Sequence, residues 1–406
     1  MALVVQKYGG SSVANAERIR GVAGRIARRY DQGNQMVAVV SAMGDTTDDL
    51  IKLAYQISEK PDRRELDVLL STGEIVSSTL MTMALHEMGY KAISLSGAQA
   101  GIRTDSSYSK ARILNIETRR VDEELSKGNI VIVAGFQGIS NEMDVTTLGR
   151  GGSDTSAVAL AAALGAKSCE RYSDVDGICT ADPRVVPEAR KLSEISYEEM
   201  LETATYGSKV IHARAVEIGQ LYNIPILVAS SFNDNPGTLI HGGVSMEARN
   251  KVTGIAHDLD VAKITVVGVA DKPGIAAAIF EPLARAGISV DTIVQNASIN
   301  NITDLTFTVA RGDVDKAMEV AKSVSGSIGA RECVSNSKLG KVSIIGTGMQ
   351  NTPGYAARMF STLSAKDINI QLITTSEIRI TCIIDESEVK EAVRALHKAF
   401  ELEKAG

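Results

Sequence analysis

Residues 267–293 read VGVADKPGIAAAIFEPLARAGISVDTI, and residues 345–373 read IGTGMQNTPGYAARMFSTLSAKDINIQLI. At a constant offset of 80 residues Pro273 falls on Pro353, Gly274 on Gly354, Phe280 on Phe360, Leu283 on Leu363 and Ile288 on Ile368, without a gap. Self-similarity of this kind means one supersecondary unit built twice. The first copy reads strand (AKITVVGV), helix (274–286), strand (ISVDTIV), strand (TDLTFTVA), helix (GDVDKAMEVAKSV), strand (ARECVSNS). That is the βαββαβ order of a ferredoxin-like unit. The second copy stops after its second helix, ESEVKEAVRALHKAF, one strand short. An open sheet edge is a liability, and the unassigned strand-like piece nearby is VTGIAH. Residues 251–258 are therefore expected to complete the second copy, with the first copy inserted into it.

Upstream, NPGTLIHGGVSMEARNKVTG (235–254) carries the glycine and proline punctuation of a linker. Before it, short apolar runs (VVQ, MVAVVSA, NIVIVAGF, IPILVAS) alternate with helical stretches (ANAERIRGVAGRIARRY, SAVALAAALGA). This is the pattern of an α/β domain whose parallel strands are covered on both faces. With 406 residues, 44% of them apolar, the chain can bury several cores. Its 43 basic and 49 acidic residues contain no basic block, so neither nucleic acid nor an anionic membrane is an expected partner. AVALAAALGA is about half of what a bilayer crossing needs, and the N-terminus lacks signal-peptide features, so a cytoplasmic location is expected. Four scattered cysteines suggest buried free thiols, and no metal site formed by direct protein ligation is expected.

Three stretches carry chemistry. KYGGSS puts Lys7, Tyr8, Gly9 and Gly10 at the end of an apolar strand. Such a strand end is where α/β folds place ligands, and glycines let main-chain N–H groups approach an anion. TTLGRGGSDTSAVALAAALGA puts Gly149, Arg150, Gly151 and Gly152 before a helix with Ser153 and Asp154 as N-cap candidates and Gly165 as its stop. That helix N-terminus, with an arginine beside it, should bind an anion. YSDVDGICTADPR packs carboxylates, an arginine and turn residues into one loop suited to a nucleotide. SAMGDTT and STGEIVSS add Ser41, Asp45, Thr46, Thr47 and Glu74.

KYGGSSV resembles the opening of the aspartate kinases, and GRGGSDTSA, YSDVDGICTADPR, GSKVIHARAVE and TSEIRI resemble further signatures of that family in the same order. The resemblance runs along essentially the whole chain and implies a three-layer α/β/α amino-acid-kinase domain (1–245) with a mainly parallel sheet. Two ferredoxin-like ACT domains follow: the first at 263–336, inserted, and the second at 251–260 plus 340–402. It implies phosphorylation of the side-chain carboxylate of L-aspartate by ATP with Mg2+, at the entry to lysine, threonine and methionine biosynthesis. By carry-over Lys7, Glu74 and Arg150 are catalytic. ATP falls to Lys7, Tyr8, Gly9, Gly10, Ser41, Ser153, Ser173, Asp174, Cys179, Thr180, Ala181, Asp182, Pro183, Arg184 and Lys209. Aspartate falls to Asp45, Thr46, Thr47, Glu74, Arg150, Gly151, Gly152 and Ser153, with Glu74 pairing the ammonium and Arg150 the α-carboxylate. Arg171 stands where the family has an aliphatic residue, and Ala213 where it has proline; an arginine in a buried strand is costly unless paired.

The ACT resemblance implies lysine and threonine as inhibitory effectors. Their candidate residues are Asp271, Ala276, Ser289, Val290, Asp291 and Gln295 in the first copy and Ala356, Ala357, Ile370, Gln371, Glu377 and Ile378 in the second. It also implies a homodimer or higher oligomer through these domains, and allows a short regulatory subunit made from the ACT region. Kinases of the same fold that act on glutamate, acetylglutamate, carbamate or UMP would not be expected to carry both GRGGSDTSA and two ACT copies. An inactive amino-acid sensor would be expected to lack Lys7 or Arg150.

Overall fold

A computed structural model of the chain describes residues 2–243, 252–296, 301–349 and 352–404. Residue 245, the expected end of the first domain, and residue 251, the expected first residue of the completing strand, lie outside the described residues. The chain divides into two compact units. The first is 1–179 with Lys191–Thr205 and Lys209–Ser245; the second is Thr180–Arg190 and Tyr206–Ser208 with the chain from Met246 onward.

The first unit opens with β1 (Leu3–Tyr8), α1 (Ala16–Asp31), β2 (Gln35–Val40), α2 (Thr46–Ile57), α3 (Arg63–Glu87) and β3 (Ala92–Leu95). Then come β4 (Ile102–Thr104), β5 (Ile113–Ile116), α4 (Arg119–Ser126), β6 (Ile130–Ala134), β7 (Gln137–Ile139), β8 (Val145–Thr147) and α5 (Gly152–Ala163). β9 (Ser168–Ser173), β10 (Glu194–Ser196), α6 (Tyr197–Thr205), α7 (Ala213–Leu221), β11 (Ile226–Ser230) and β12 (Thr238–His241) complete it. Eight strands form one sheet in the order β10-β12-β11-β9-β1-β2-β6-β3, parallel except for β11 against β12. β5, β4, β7 and β8 make a separate four-stranded sheet.

Alternation along the central strands builds a core on each face. Val5, Val37, Val39, Val131 and Val133 pack with Ala157, Val158 and Leu160 of α5, whereas Val4, Tyr8, Met36 and Ala38 pack with Ile19 and Ile26 of α1 and Met81 and Leu85 of α3. Each buried Val, Leu, Ile or Met side chain among them contributes about 1.5–3 kcal/mol. Asn15 caps α1, accepting the Arg18 N–H at 2.9 Å. Ala213 occupies the first position of α7, where proline is favoured only for its preset φ and alanine is equally helical. α3 is long and apolar enough to cross a bilayer, unlike α5, which holds most of AVALAAALGA, but half of its most apolar window is buried. It also carries the buried carboxylates Asp67 and Glu74, the mark of a core helix.

The second unit contains β13 (Gly254–Ala270), α8 (Ile275–Arg285), β14 (Val290–Gln295), β15 (Ile302–Val309), α9 (Val314–Ile328) and β16 (Glu332–Ile345). α10 (Tyr355–Ser364), β17 (Leu372–Ser376), β18 (Arg379–Asp385) and α11 (Val389–Ala399) follow. The six strands form one sheet, β14-β15-β13-β16-β18-β17. VTGIAH and AKITVVGV do not form two strands; they run together as β13, and ARECVSNS runs on into the first strand of the second copy as β16. Gly254–Asp258 pairs antiparallel with Ile345–Lys341, while Val261–Val267 pairs with Leu339–Glu332, and the register slips between the two halves. Gly340 sits at the crossing, where a Cβ would lie 2.4 Å from Val389. Both Pro-Gly turns place their glycine in the left-handed region, φ +94 at Gly274 and +108 at Gly354, and start α8 and α10.

Candidate active site

Parallel pairing sets Lys7 of β1 opposite Val39 of β2 and Arg171 of β9. Register partners project to the same face, here the face covered by α5. Asp154, in the first turn of α5, meets both cations: its carboxylate lies 2.6 Å from Lys7 Nζ and 3.4 Å from Arg171 Nε. Arg171 also donates to Ser173 Oγ at 2.5 Å. The arginine that looked costly in a buried strand is therefore doubly partnered. Burial pulls the Lys7 ammonium below the usual lysine range, with Asp154 opposing the shift. Burial alone would raise the Asp154 carboxyl, but Lys7 and Arg171 outweigh it and hold it low. The carboxylate thus stays ionised and keeps the lysine in place.

The cap of α5 is Gly151 rather than Ser153 or Asp154, and no side chain bonds the first-turn donors. Asp154 is drawn off to the lysine, which leaves the positive end of the helix uncapped beside Lys7. Gly151 has φ +68, and a Cβ there would come within 2.2 Å of His212. Arg150 is exposed just before this turn, and no described hydrogen bond or ion pair holds its side chain.

Glu74 arrives from α3. Gly73 lets that helix press against the loop after β2, since a Cβ on Gly73 would lie 2.8 Å from Ala42 Cβ. Glu74 Oε1 accepts the Ala42 N–H at 3.1 Å and Ser77 Oγ donates to the Ser41 carbonyl at 2.7 Å. The second oxygen of Glu74, Oε2, is buried with no partner. Burial raises its carboxyl to about 7, against the pull of the Ala42 N–H and the Lys7 charge. A buried carboxylate with one free oxygen is a ready acceptor for a cationic ligand group. Asp45 precedes α2, and Thr46 Oγ1 donates back to the Met43 carbonyl at 2.6 Å, leaving Thr47 in the helix's first turn.

Tyr8 is fully buried and stacked on Tyr172, with ring centroids 5.2 Å apart. Gly9 donates its N–H to the Tyr172 carbonyl at 3.2 Å, extending the sheet, and Gly10 lies so close to Ala42 that a Cβ would be 2.8 Å from the Ala42 carbonyl oxygen. Ser173 is buried at the end of β9; Asp174 and Lys209 are exposed, and Cys179 is partly so. Lys7, Glu74, Gly152, Ser153 and Ser173 belong to the first unit, whereas Thr180, Ala181, Asp182, Pro183 and Arg184 belong to the second. There Thr180 is fully buried and shares a 2.9 Å hydrogen bond with His397 Nε2, Ala181 joins a core with Ile255 and Val342, and Arg184 folds back on Asp182 at 2.8 Å.

Of the candidate effector residues, Asp271 and Ala276 are exposed around the Pro-Gly turn, and Ser289, Val290, Asp291 and Gln295 lie along or beside β14. Ala356 and Ala357 open α10, while Ile370, Gln371, Glu377 and Ile378 flank β17. Asp291 pairs with the buried Lys341, and Lys263 Nζ donates to Gln371 Oε1 at 3.1 Å. β14 and β17 are the two edges of the six-stranded sheet.

Reading the sequence missed the part of Asp154, seen only as a cap, and of Arg171, seen only as a cost. An arginine in a buried strand that leads into the YSDVDG turn was the available signal. A model described as amino acid kinase family matches residues 2–230, and one described as ACT domain matches 264–324 and 342–400. The aspartokinase of Pseudomonas aeruginosa is 50% identical over 405 residues, spanning 99% of this chain and 98% of that protein. The structure of E. coli aspartokinase III with aspartate and ADP superposes with a TM-score of 0.84 at 24% identity, over 98% of this chain and 100% of that one. The same enzyme with lysine and aspartate gives 0.74 at 26%, over 98% and 99%. Full-length identity of this order, with kinase and ACT models matched in sequence, means that the chain belongs to the amino acid kinase family as an aspartate kinase with paired ACT modules.

Proposed function

We propose that the enzyme transfers the terminal phosphoryl group of ATP to the side-chain carboxylate of L-aspartate, giving 4-phospho-L-aspartate, at the entry to lysine, threonine and methionine biosynthesis. The observation that carries this reading is the Lys7–Asp154–Arg171 array beneath the uncapped start of α5. A carboxylate nucleophile is ionised at neutral pH and needs no general base. The barrier is instead the mutual repulsion of two anions, which fixed positive groups relieve. Lys7 faces the transferring phosphoryl group, with Gly10 beside it; Arg150 takes the α-carboxylate and the free oxygen of Glu74 the ammonium. Ser41, Ser173, Asp174, Cys179 and Lys209 are assigned to the nucleotide. Among the described residues no group of three or more His, Cys, Asp or Glu side chains could cage a metal. Mg2+ is assigned to the nucleotide's phosphates.

Lysine and threonine, singly or together, are proposed as inhibitors bound at the Pro-Gly turns, with copies of the chain paired through the sheet edges β14 and β17. The aspartokinase III structure with lysine supports this class of effector. The chemistry is tested by trapping the acyl phosphate with hydroxylamine over a panel of acidic amino acids. Lys7→Ala should lower kcat on the order of a hundredfold to a thousandfold; unchanged turnover would remove the lysine from the mechanism. The same assay with each effector alone and with both identifies the inhibitor.

A further inference from the structure

The loop that presents Arg150 is fastened from beneath by two charged side chains that the reaction as described leaves idle. Asp67 lies on α3 seven residues before Glu74, two turns away on the same face, and it is fully buried. Its carboxylate accepts the Ser109 N–H at 2.9 and 3.0 Å, the Thr147 N–H at 2.8 Å and the Thr147 hydroxyl at 2.8 Å. From α7, Arg214 donates to the Leu148 carbonyl at 2.8 Å and to the Ala111 carbonyl at 3.1 Å. The Thr147 carbonyl takes the Ala111 N–H, and the Leu148 N–H reaches the Phe136 carbonyl, both at 2.9 Å. Every main-chain donor and acceptor of Thr147 and Leu148 is thereby occupied. Gly149 is next, at φ +75, and a Cβ on it would lie 2.9 Å from the Ser109 carbonyl oxygen. The turn that Asp67 pins therefore walls Gly149 as well. One residue later stands Arg150, its side chain without a described partner.

We propose that Asp67 and Arg214 are positioning residues for the substrate's α-carboxylate, acting through Arg150. They hold rigid the last residues before a guanidinium whose own side chain is free to close on its ligand. The inference rests on the assignment of Arg150 to that carboxylate. A long side chain loses rotamer entropy when it grips, so the affinity it delivers depends on a base that does not move. Asparagine at position 67 keeps the shape but turns an amide N–H toward donors already facing it, which loosens the base without emptying the site.

The test is steady-state kinetics of the full-length enzyme with Asp67→Asn, Arg150→Ala and the double variant. Asp67→Asn should raise KM for aspartate about tenfold or more while KM for ATP changes less than about twofold. In the Arg150→Ala background the same replacement should raise KM for aspartate no further. A full additional increase in that background, or equal increases in both KM values, would reduce Asp67 to a structural residue and overturn the proposal. If Arg150→Ala alone leaves KM for aspartate unchanged, the assignment of Arg150 falls and this inference falls with it. Arg214→Lys, which replaces the two-nitrogen fork spanning the two carbonyls with a single nitrogen, should show the same selectivity and serves if the asparagine variant does not fold.

Discussion

Glu74 is held where its charge is costly, and the cost has two separable consequences. Its carboxyl is pushed up to about 7 by burial, from an ordinary 4.5, so the folded state without ligand binds a proton that the unfolded chain releases. Stability from this group is fully present below about pH 4.5 and is lost as pH rises through about 7, by at most roughly 3.5 kcal/mol at about 1.4 kcal/mol per unit. Glu74→Gln keeps the acceptor for the Ala42 N–H and cannot ionise. Its thermal midpoint should therefore exceed that of the parent at pH 8 and match it near pH 5. An ammonium ligand needs the charged form. KM for aspartate in the parent should fall as pH rises through about 7 and then level off, whereas in Glu74→Gln it should be flat and higher by about tenfold to a hundredfold. A parent KM indifferent to pH between 6 and 8 would break the link between this carboxylate and the substrate. The glutamate's presence on a helix was legible in STGEIVSS; its orphaned oxygen was not, because burial depends on Gly73 and Ala42 meeting across thirty-one residues of chain.

Helix α3 shows how an element can be both scaffold and instrument. Asp67 and Glu74 share one face, and Gly73 sets how near that face comes to the loop after β2. Gly73→Ala gains about 1 kcal/mol of helix propensity but drives a Cβ to 2.8 Å from Ala42 Cβ, a contact with no flexible end to give way. Overpacking of this kind costs about 1–3 kcal/mol. The variant should be no more stable than the parent in urea denaturation, and its KM for aspartate should rise as Glu74 is displaced. Gly24 of α1 is the control: a Cβ added there would meet nothing within 4 Å, so Gly24→Ala should gain about 1 kcal/mol with unaltered kinetics. Stabilisation by both substitutions would contradict the close approach of α3. The periodicity that announces these helices is local and readable. Which glycine is a spacer and which is only a weak point is a property of the partner element.

At the scale of the molecule the sequence repeat becomes one sheet with two open ends. Ile293 on β14 and Ile373 on β17 occupy equivalent places in the two copies, 80 residues apart, and both are exposed, at 54% and 44%. Two edges with matching apolar side chains suit the proposed pairing of chains through the ACT modules. Ile373→Lys should lower the mass measured by light scattering at micromolar concentration and weaken effector inhibition while leaving the uninhibited rate intact; an unchanged mass for this and for Ile293→Lys would remove the edges from the assembly. The repeat, the alternation of strand and helix in the first half and the glycine loops were written in the chain, because turn chemistry and hydrophobic period act over a few residues. Register and close packing were decided only by the tertiary fold. Strand pairing brought Arg171 beside Lys7 and turned Asp154 from a cap into their counter-charge. Packing likewise placed Thr180–Arg190 with the second unit rather than the first. These outcomes depend on neighbours far apart in sequence, and no local pattern of residues specifies which distant charge a buried side chain will meet.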